Sequence, residues 1–264
     1  MVREQQTGVA VHWEGRHMRR KLVVAGLSAV SALVLGSCYG STEPATGVGE
    51  DTAVLHGQGT ADKGAATSYF EYWATGDPAS GYPRPRTPTR SWPSGASGPI
   101  SENASDLLVA SQYSFRLCGQ DQSTPTVCAQ TRTFTTRTPP GDYVKGSLSF
   151  AGAQIPPTPI PPFVARFNAR SGPSGEGAKG TVTDVRKDGS RFVTTVTCLR
   201  VTGNHATIGA KSETGSAFLF DVQSDRSSVG FQTVTNPPDC SSSATSTFVP
   251  GESTIVVHDT PAPG

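Results

Sequence analysis

His205, Asp221, His258 and Asp259 are the residues of this 264-residue chain whose types could do chemistry as a group. Two imidazoles and two carboxylates can ligate a metal or form a general acid–base pair. Their spacing requires neither. His258-Asp259 closes a β-branched run, Ile255-Val256-Val257, at a position where a carboxylate often accepts a backbone N–H, so structural roles are expected for all four. The loop 172–177 and the Ser/Gly tracts carry many hydroxyls but form no G-x-S-x-G elbow, S-x-x-K or P-loop. Glycosidase chemistry needs two placed carboxylates, whereas the acidic residues here fall mostly in apparent turns. There is no C-x-x-C, and no Cys/His cluster has zinc-ligand spacing. The reading is a non-enzyme with no catalytic residue, metal or cofactor.

Tyr82, Trp92 and Trp73 are the candidate ligand contacts. Tyr82 and Trp92 lie in a Pro/Gly/Ser-rich stretch with Arg84, Arg86 and Arg90. Aromatic side chains on such a loop can stack on sugar rings or anchor a protein partner; alternatively they cover a sparse core.

The elements that must position these residues are short. Hydrophobic residues make up 35% and charged residues 16%, both low for a cytoplasmic globular protein, and 29 Gly with 21 Pro imply frequent reversals. No segment keeps a capped 3.6-residue period, so the expected fold is all-β: two tandem sandwich- or barrel-like domains. Removing the five basic and two acidic residues of 1–37 leaves 17 basic and 19 acidic. No basic stripe is apparent along the chain, which argues against nucleic acid as a partner.

Met18-Arg-Arg-Lys21 followed by the small-residue apolar run Leu22–Leu35 is too short to span a bilayer and suits a signal peptide. It ends in Leu35-Gly-Ser-Cys38, which resembles the bacterial lipobox. That resemblance implies lipid transfer to the Cys38 thiol and cleavage before it, placing the chain on the outer face of the cell membrane. Residues 1–37 are thus read as the signal peptide, with Met18 as the expected true start, and 38–50 as a lipidated flexible tether. Lipidation removes one of five cysteines. Of the three pairings left, Cys118–Cys128 with Cys198–Cys240 keeps each bridge inside one proposed domain.

Residues 51–136 contain Val54-Leu-His-Gly57, Tyr69-Phe-Glu-Tyr72, the Leu107-to-Tyr113 spacing before Phe115-Arg-Leu117, and Phe134-Thr-Thr136. Together they resemble a bacterial fibronectin type III domain, although Val109 stands where proline is common and 76–99 align poorly. The resemblance implies that Tyr113 forms a corner tying a loop to its strand. Arg137-Thr-Pro-Pro-Gly141 reads as an unburied linker within 137–143. Residues 144–259 show eight short runs, with 260–264 as a tail. Val196-Thr-Cys-Leu-Arg-Val-Thr-Gly-Asn-His-Ala206 and Ile255-Val-Val-His-Asp259 resemble a small β-domain of secreted actinobacterial proteins, a likeness that implies fold but no activity. The functional expectation is a surface-anchored lipoprotein that binds a protein or polysaccharide. The alternatives are an accessory or degenerate polysaccharide-hydrolase subunit, and a structural spacer.

Overall fold

The computed structural model describes residues 40–62, 64–76, 82–121, 125–152, 161–224, 229–235, 238–248 and 250–261. Cys38 and the signal segment lie outside them. Among the described residues there is no helix, and none long and apolar enough to cross a membrane. All sheets are antiparallel, as the low periodicity and the density of Gly and Pro anticipate.

Two sheets enclose the first core. One has the order β1 (Gly40–Thr46), β2 (Ala53–Thr60), β5 (Ser97–Ala104). The other has the order β4 (Arg90–Trp92), β3 (Ala66–Ala74), β6 (Gln112–Asp121), β7 (Val127–Cys128), with β8 (Arg132–Thr135) also on β6. Strand β2 alternates Ala53, Leu55, Gly57 and Gly59 inward, facing Phe70, Phe115, Leu117, Ile100 and Trp92. A Cβ at Gly59 would lie 2.6 Å from the Trp92 indole, so glycine there makes room for the ring. The Tyr113 hydroxyl accepts the Leu108 N–H at 2.7 Å, the corner contact that the resemblance implies.

One sequence expectation fails here. The expected flexible tether 38–50 is structured from Gly40 onward: Gly40–Thr46 pair with β2, and the buried Thr42 hydroxyl accepts the Leu117 N–H at 2.9 Å across the core. Leu107-Leu-Val109 is a buried connection between β5 and β6, bounded by left-handed Asp106 (φ 55°) and Ala110 (φ 47°).

The second core lies against one continuous sheet, in the order β16 (Ser246–Phe248), β15 (Val229–Val234), β14 (Ala217–Gln223), β13 (His205–Ser212), β12 (Arg191–Thr202), β11 (Lys179–Arg186), β10 (Phe163–Arg170), β9 (Tyr143–Phe150), β17 (Val256–His258). Apart from β17, this is a meander of neighbours in sequence. Val144, Leu148, Phe167, Val182, Val196, Ile208, Phe220 and Ile255 from across it pack into one cluster, so the sheet curls upon itself. The curl brings β17 to the end of β14, where the Val257 N–H donates to Ser224 Oγ at 2.7 Å.

Strand β10 carries much of the contact between the two bodies. Phe163, Ala165, Phe167 and Ala169 face the curled core, while Val164, Arg166, Asn168 and Arg170 face the other way, toward the first body. Asn168 Nδ2 donates to Leu107 O at 2.8 Å and its Oδ1 accepts the Val109 N–H at 3.4 Å. Arg170 pairs with Glu50 at 2.9 Å and Asp51 at 2.7 Å, and Lys145 Nζ donates to Ala110 O. Between the bodies, the connection expected to be unburied is instead packed at Pro139, Gly141 and Asp142. A Cβ at Gly141 would lie 2.1 Å from Ser171 O, so the chain passes too close there for any other residue.

Both expected disulfides form, Cys118–Cys128 and Cys198–Cys240, at sequence separations of 10 and 42. Loop-closure entropy assigns about 3 and about 4 kcal/mol to these loops. In denaturant titrations the Cys198→Ser/Cys240→Ser double variant is therefore expected to lose about 1 kcal/mol more than the Cys118→Ser/Cys128→Ser pair. The reverse order would show that local packing, not loop length, sets their worth.

Candidate binding site

The four residues with a hint of shared chemistry serve separate structural ends. His205 Nε2 lies 3.6 Å from Asp221 Oδ1, but that oxygen already accepts the Thr207 hydroxyl at 2.6 Å. Asp221 Oδ2 accepts the Ala244 N–H, tying β14 to the segment that follows Cys240. His258 stacks on Tyr143 at 4.8 Å, and Asp259 Oδ2 accepts the Gly203 N–H at 2.6 Å, fastening the β12–β13 turn to the end of β17. Among the described residues, the one group with metal-type donors is Glu71 with Cys118 and Cys128. Both sulfurs are spent in the disulfide and offer no thiolate.

The aromatic candidates part company. Trp92 is 6% exposed, and its indole N–H donates to Ser68 Oγ at 2.7 Å. It is a core residue of β4, which corrects its expected role as a ligand contact. Tyr82 is half-buried at the start of the segment that leads along β3. Trp73, on β3, lines a cleft between the two bodies.

That cleft has a volume of about 60 Å³. The first body contributes Tyr72, Trp73 and Asp106 to it, and the second contributes Thr181, Arg166 and Arg191. Such a volume admits a few water molecules or one small polar group, not a sugar ring. Burial pushes the Tyr72 phenol above its ordinary 10.0; Arg191 and Arg166 pull it back, and Asp106 adds to the rise. The hydroxyl therefore stays protonated and can donate to an anionic or carbonyl oxygen near neutral pH.

Beside the cleft, Tyr69, Glu71 and Trp73 alternate along the outer face of β3. Arg86 lies over Tyr69 at 4.6 Å, Arg84 over Trp73 at 3.9 Å, and Arg116 is 5.6 Å from the Trp73 ring. Glu71 stands among them, 2.8 Å from Arg116, 3.5 Å from Arg84 and 3.8 Å from Arg86. Reading along the sequence, no basic stripe is visible. Folding makes one, because the β3–β6 register sets Arg116 opposite Glu71, 45 residues away. Tyr72, Arg116, Arg166 and Arg191 were missed for that reason. The signals that the sequence did carry for the site were Trp73 and the Arg84-x-Arg86 alternation.

One perturbed carboxylate lies apart from this site. Asp184 faces inward on β11 between Ala165 and Phe192, and burial raises its pKa from 3.8 to about 6, with Arg186 opposing. The fold favours the protonated acid, so its contribution is full below pH 3.8 and is lost as pH rises through about 6. Asp184→Asn is expected to stabilise by about 1–2 kcal/mol at pH 7.5, discounted for partial solvation, and to change little at pH 4. Urea midpoints at the two pH values check this; equal shifts at both would contradict it.

No protein-family model matches the chain, and no curated protein matches it. Among solved structures, the sensor domain of the anti-sigma factor RsgI4 from Pseudobacteroides cellulosolvens is similar to 39% of this chain over 97% of its own length, with 19% identity and a TM-score of 0.32. A longer form of that domain matches 38% of this chain at 21% identity and a TM-score of 0.30. A cycloalternan-forming enzyme from Listeria monocytogenes is 7% identical over 76% of this chain and 18% of the enzyme, with a TM-score of 0.25. Likenesses this remote assign neither family nor activity.

Proposed function

We propose that this chain is a lipid-anchored extracellular binding module with no catalysis of its own, held at the membrane through Cys38. The observation that carries the binding reading is the preformed cleft between the two bodies. Its walls come from both, and Asn168, Arg170 and Lys145 fix them in place. A ligand that inserts one polar group there meets the Tyr72 hydroxyl and the Arg191 guanidinium without first ordering the protein, which lowers the cost of binding. Two disulfides suit an oxidising, extracytoplasmic setting. His205, Asp221 and Asp259, the residues that could have suggested hydrolysis, are engaged in structural contacts, which favours binding over an accessory hydrolase.

Co-sedimentation of the chain with isolated cell wall and insoluble polysaccharide tests the reading. Binding is expected, and the Arg191→Ala and Tyr72→Phe variants are expected to weaken it about three- to tenfold through loss of charge-assisted and hydroxyl contacts. No binding to any wall fraction would leave the spacer reading, to which the clamp between the bodies is equally suited. Retention of a Cys38→Ala variant in the membrane would remove the anchor.

A further inference from the structure

The cleft alone takes only a small group, but the arginine strip beside it extends the surface. Each guanidinium carries five N–H donors, and three of them share the single carboxylate of Glu71. Arg116 donates to Glu71 through Nε and Nη2, whereas Arg84 and Arg86 approach it only to 3.5 Å and 3.8 Å. The Arg84 and Arg86 side chains are 43% and 57% exposed, whereas the Glu71 side chain is 11% exposed. The Arg84 and Arg86 guanidinium carbons sit 3.9 Å and 4.6 Å from the Trp73 and Tyr69 ring centres, contacts that restrict both side chains before anything binds. With one carboxylate against three guanidinia, the strip carries a local excess of two positive charges.

Arg84 and Arg86 project from the same side of an extended segment that runs beside β3, through Tyr72 N–H to Pro85 O and Thr87 N–H to Phe70 O. Alternate residues on extended chain are about 7 Å apart. Such a row suits a ligand with anionic groups repeated along an extended backbone. A globular protein partner would need apolar anchors at the centre of its contact. Of the large exposed apolar side chains among the described residues, Phe192, Val193 and Val256, only Val193 borders the site, at the cleft, and none stands among the arginines.

We propose that the strip formed by Arg84, Arg86 and Arg116 binds an anionic polymer of the cell envelope, one carrying a phosphodiester or a carboxylate on each repeat, with the cleft taking one of its side groups. This rests on the binding-module reading above. It names the ligand class and adds the outer face of β3 to the site.

The test uses the full chain in a non-ionic detergent, with polyglycerol phosphate, polygalacturonate and neutral dextran as probes. Binding to one or both polyanions is expected, and the one that binds more tightly shows whether phosphate or carboxylate is preferred. Raising salt from 50 to 200 mM should weaken it by about tenfold or more. The Arg84→Gln/Arg86→Gln variant should weaken it by about a further tenfold with an unchanged melting curve. Arg200→Gln/Lys211→Gln removes the same charge elsewhere and should leave binding intact. An equal loss in that control would reduce the effect to bulk charge and overturn the site. Binding to isolated wall or dextran without binding to either polyanion would overturn the ligand class and keep the binding reading. Binding to nothing would overturn both.

Discussion

Trp92→Ala is expected to lower the unfolding free energy by about 3–5 kcal/mol and the melting temperature by on the order of 10 °C. The indole fills the space left above Gly59, and its N–H satisfies a buried serine hydroxyl. Alanine would leave both a cavity and an unpaired Ser68 Oγ. Filling the cavity from the facing strand is blocked in turn, because position 59 has no side chain to rotate inward. Calorimetry of the variant checks the size of the loss. A loss below about 1 kcal/mol would mean that the ring is less enclosed than 6% exposure implies. Loss of ligand binding in this variant would report on folding, not on a Trp92 contact.

Breaking the clamp should have an effect of similar size but a different form. Asn168→Ala removes the partners of the Leu107 carbonyl and the Val109 N–H together, both in a connection that is otherwise buried. Unsatisfied buried backbone groups cost about 1–3 kcal/mol each, so for the two a loss of about 2–6 kcal/mol is expected. The native chain should unfold in one transition, with near-UV and far-UV signals coinciding, because each body borrows hydrogen bonds from the other. In Asn168→Ala/Arg170→Ala the two signals should separate. Two transitions in the unaltered chain would show that the contacts across β10 do not couple the bodies.

Much of the second body is legible in the sequence, since its strands alternate cleanly and follow one another in space. Phe218-Leu-Phe-Asp-Val222 places apolar residues on one face, and Thr202-Gly203 marks the turn with Gly203 at φ 61°. The first body is legible only where its strands carry large side chains. Strand β5, Ser-Gly-Pro-Ile-Ser-Glu-Asn-Ala, reaches its core through Ile100 and Ala104 alone and sits at a sheet edge that tolerates Pro99. Strand β1 has no large apolar residue at all; its inward anchor is the hydroxyl of Thr42. Hydrophobic pattern cannot report a strand held by a hydroxyl. The binding surface was harder still. It depends on cross-strand register and on the docking of the two bodies, neither of which is a local property.

Strand β1 also decides how the proposed anchor would carry force. One residue separates Cys38 from Gly40, so any drag on the body enters at the first pair of the β1–β2 ladder. Tension along β1 loads the pairs from Gly40 to Glu43 together, in shear, with Thr42 acting as a pin into the opposite sheet through Leu117 and Arg132. If that ladder gives way, the chain from Gly40 to Ala53 is released, about 45 Å at full stretch. The long flexible leash would then be a reserve, paid out only under load.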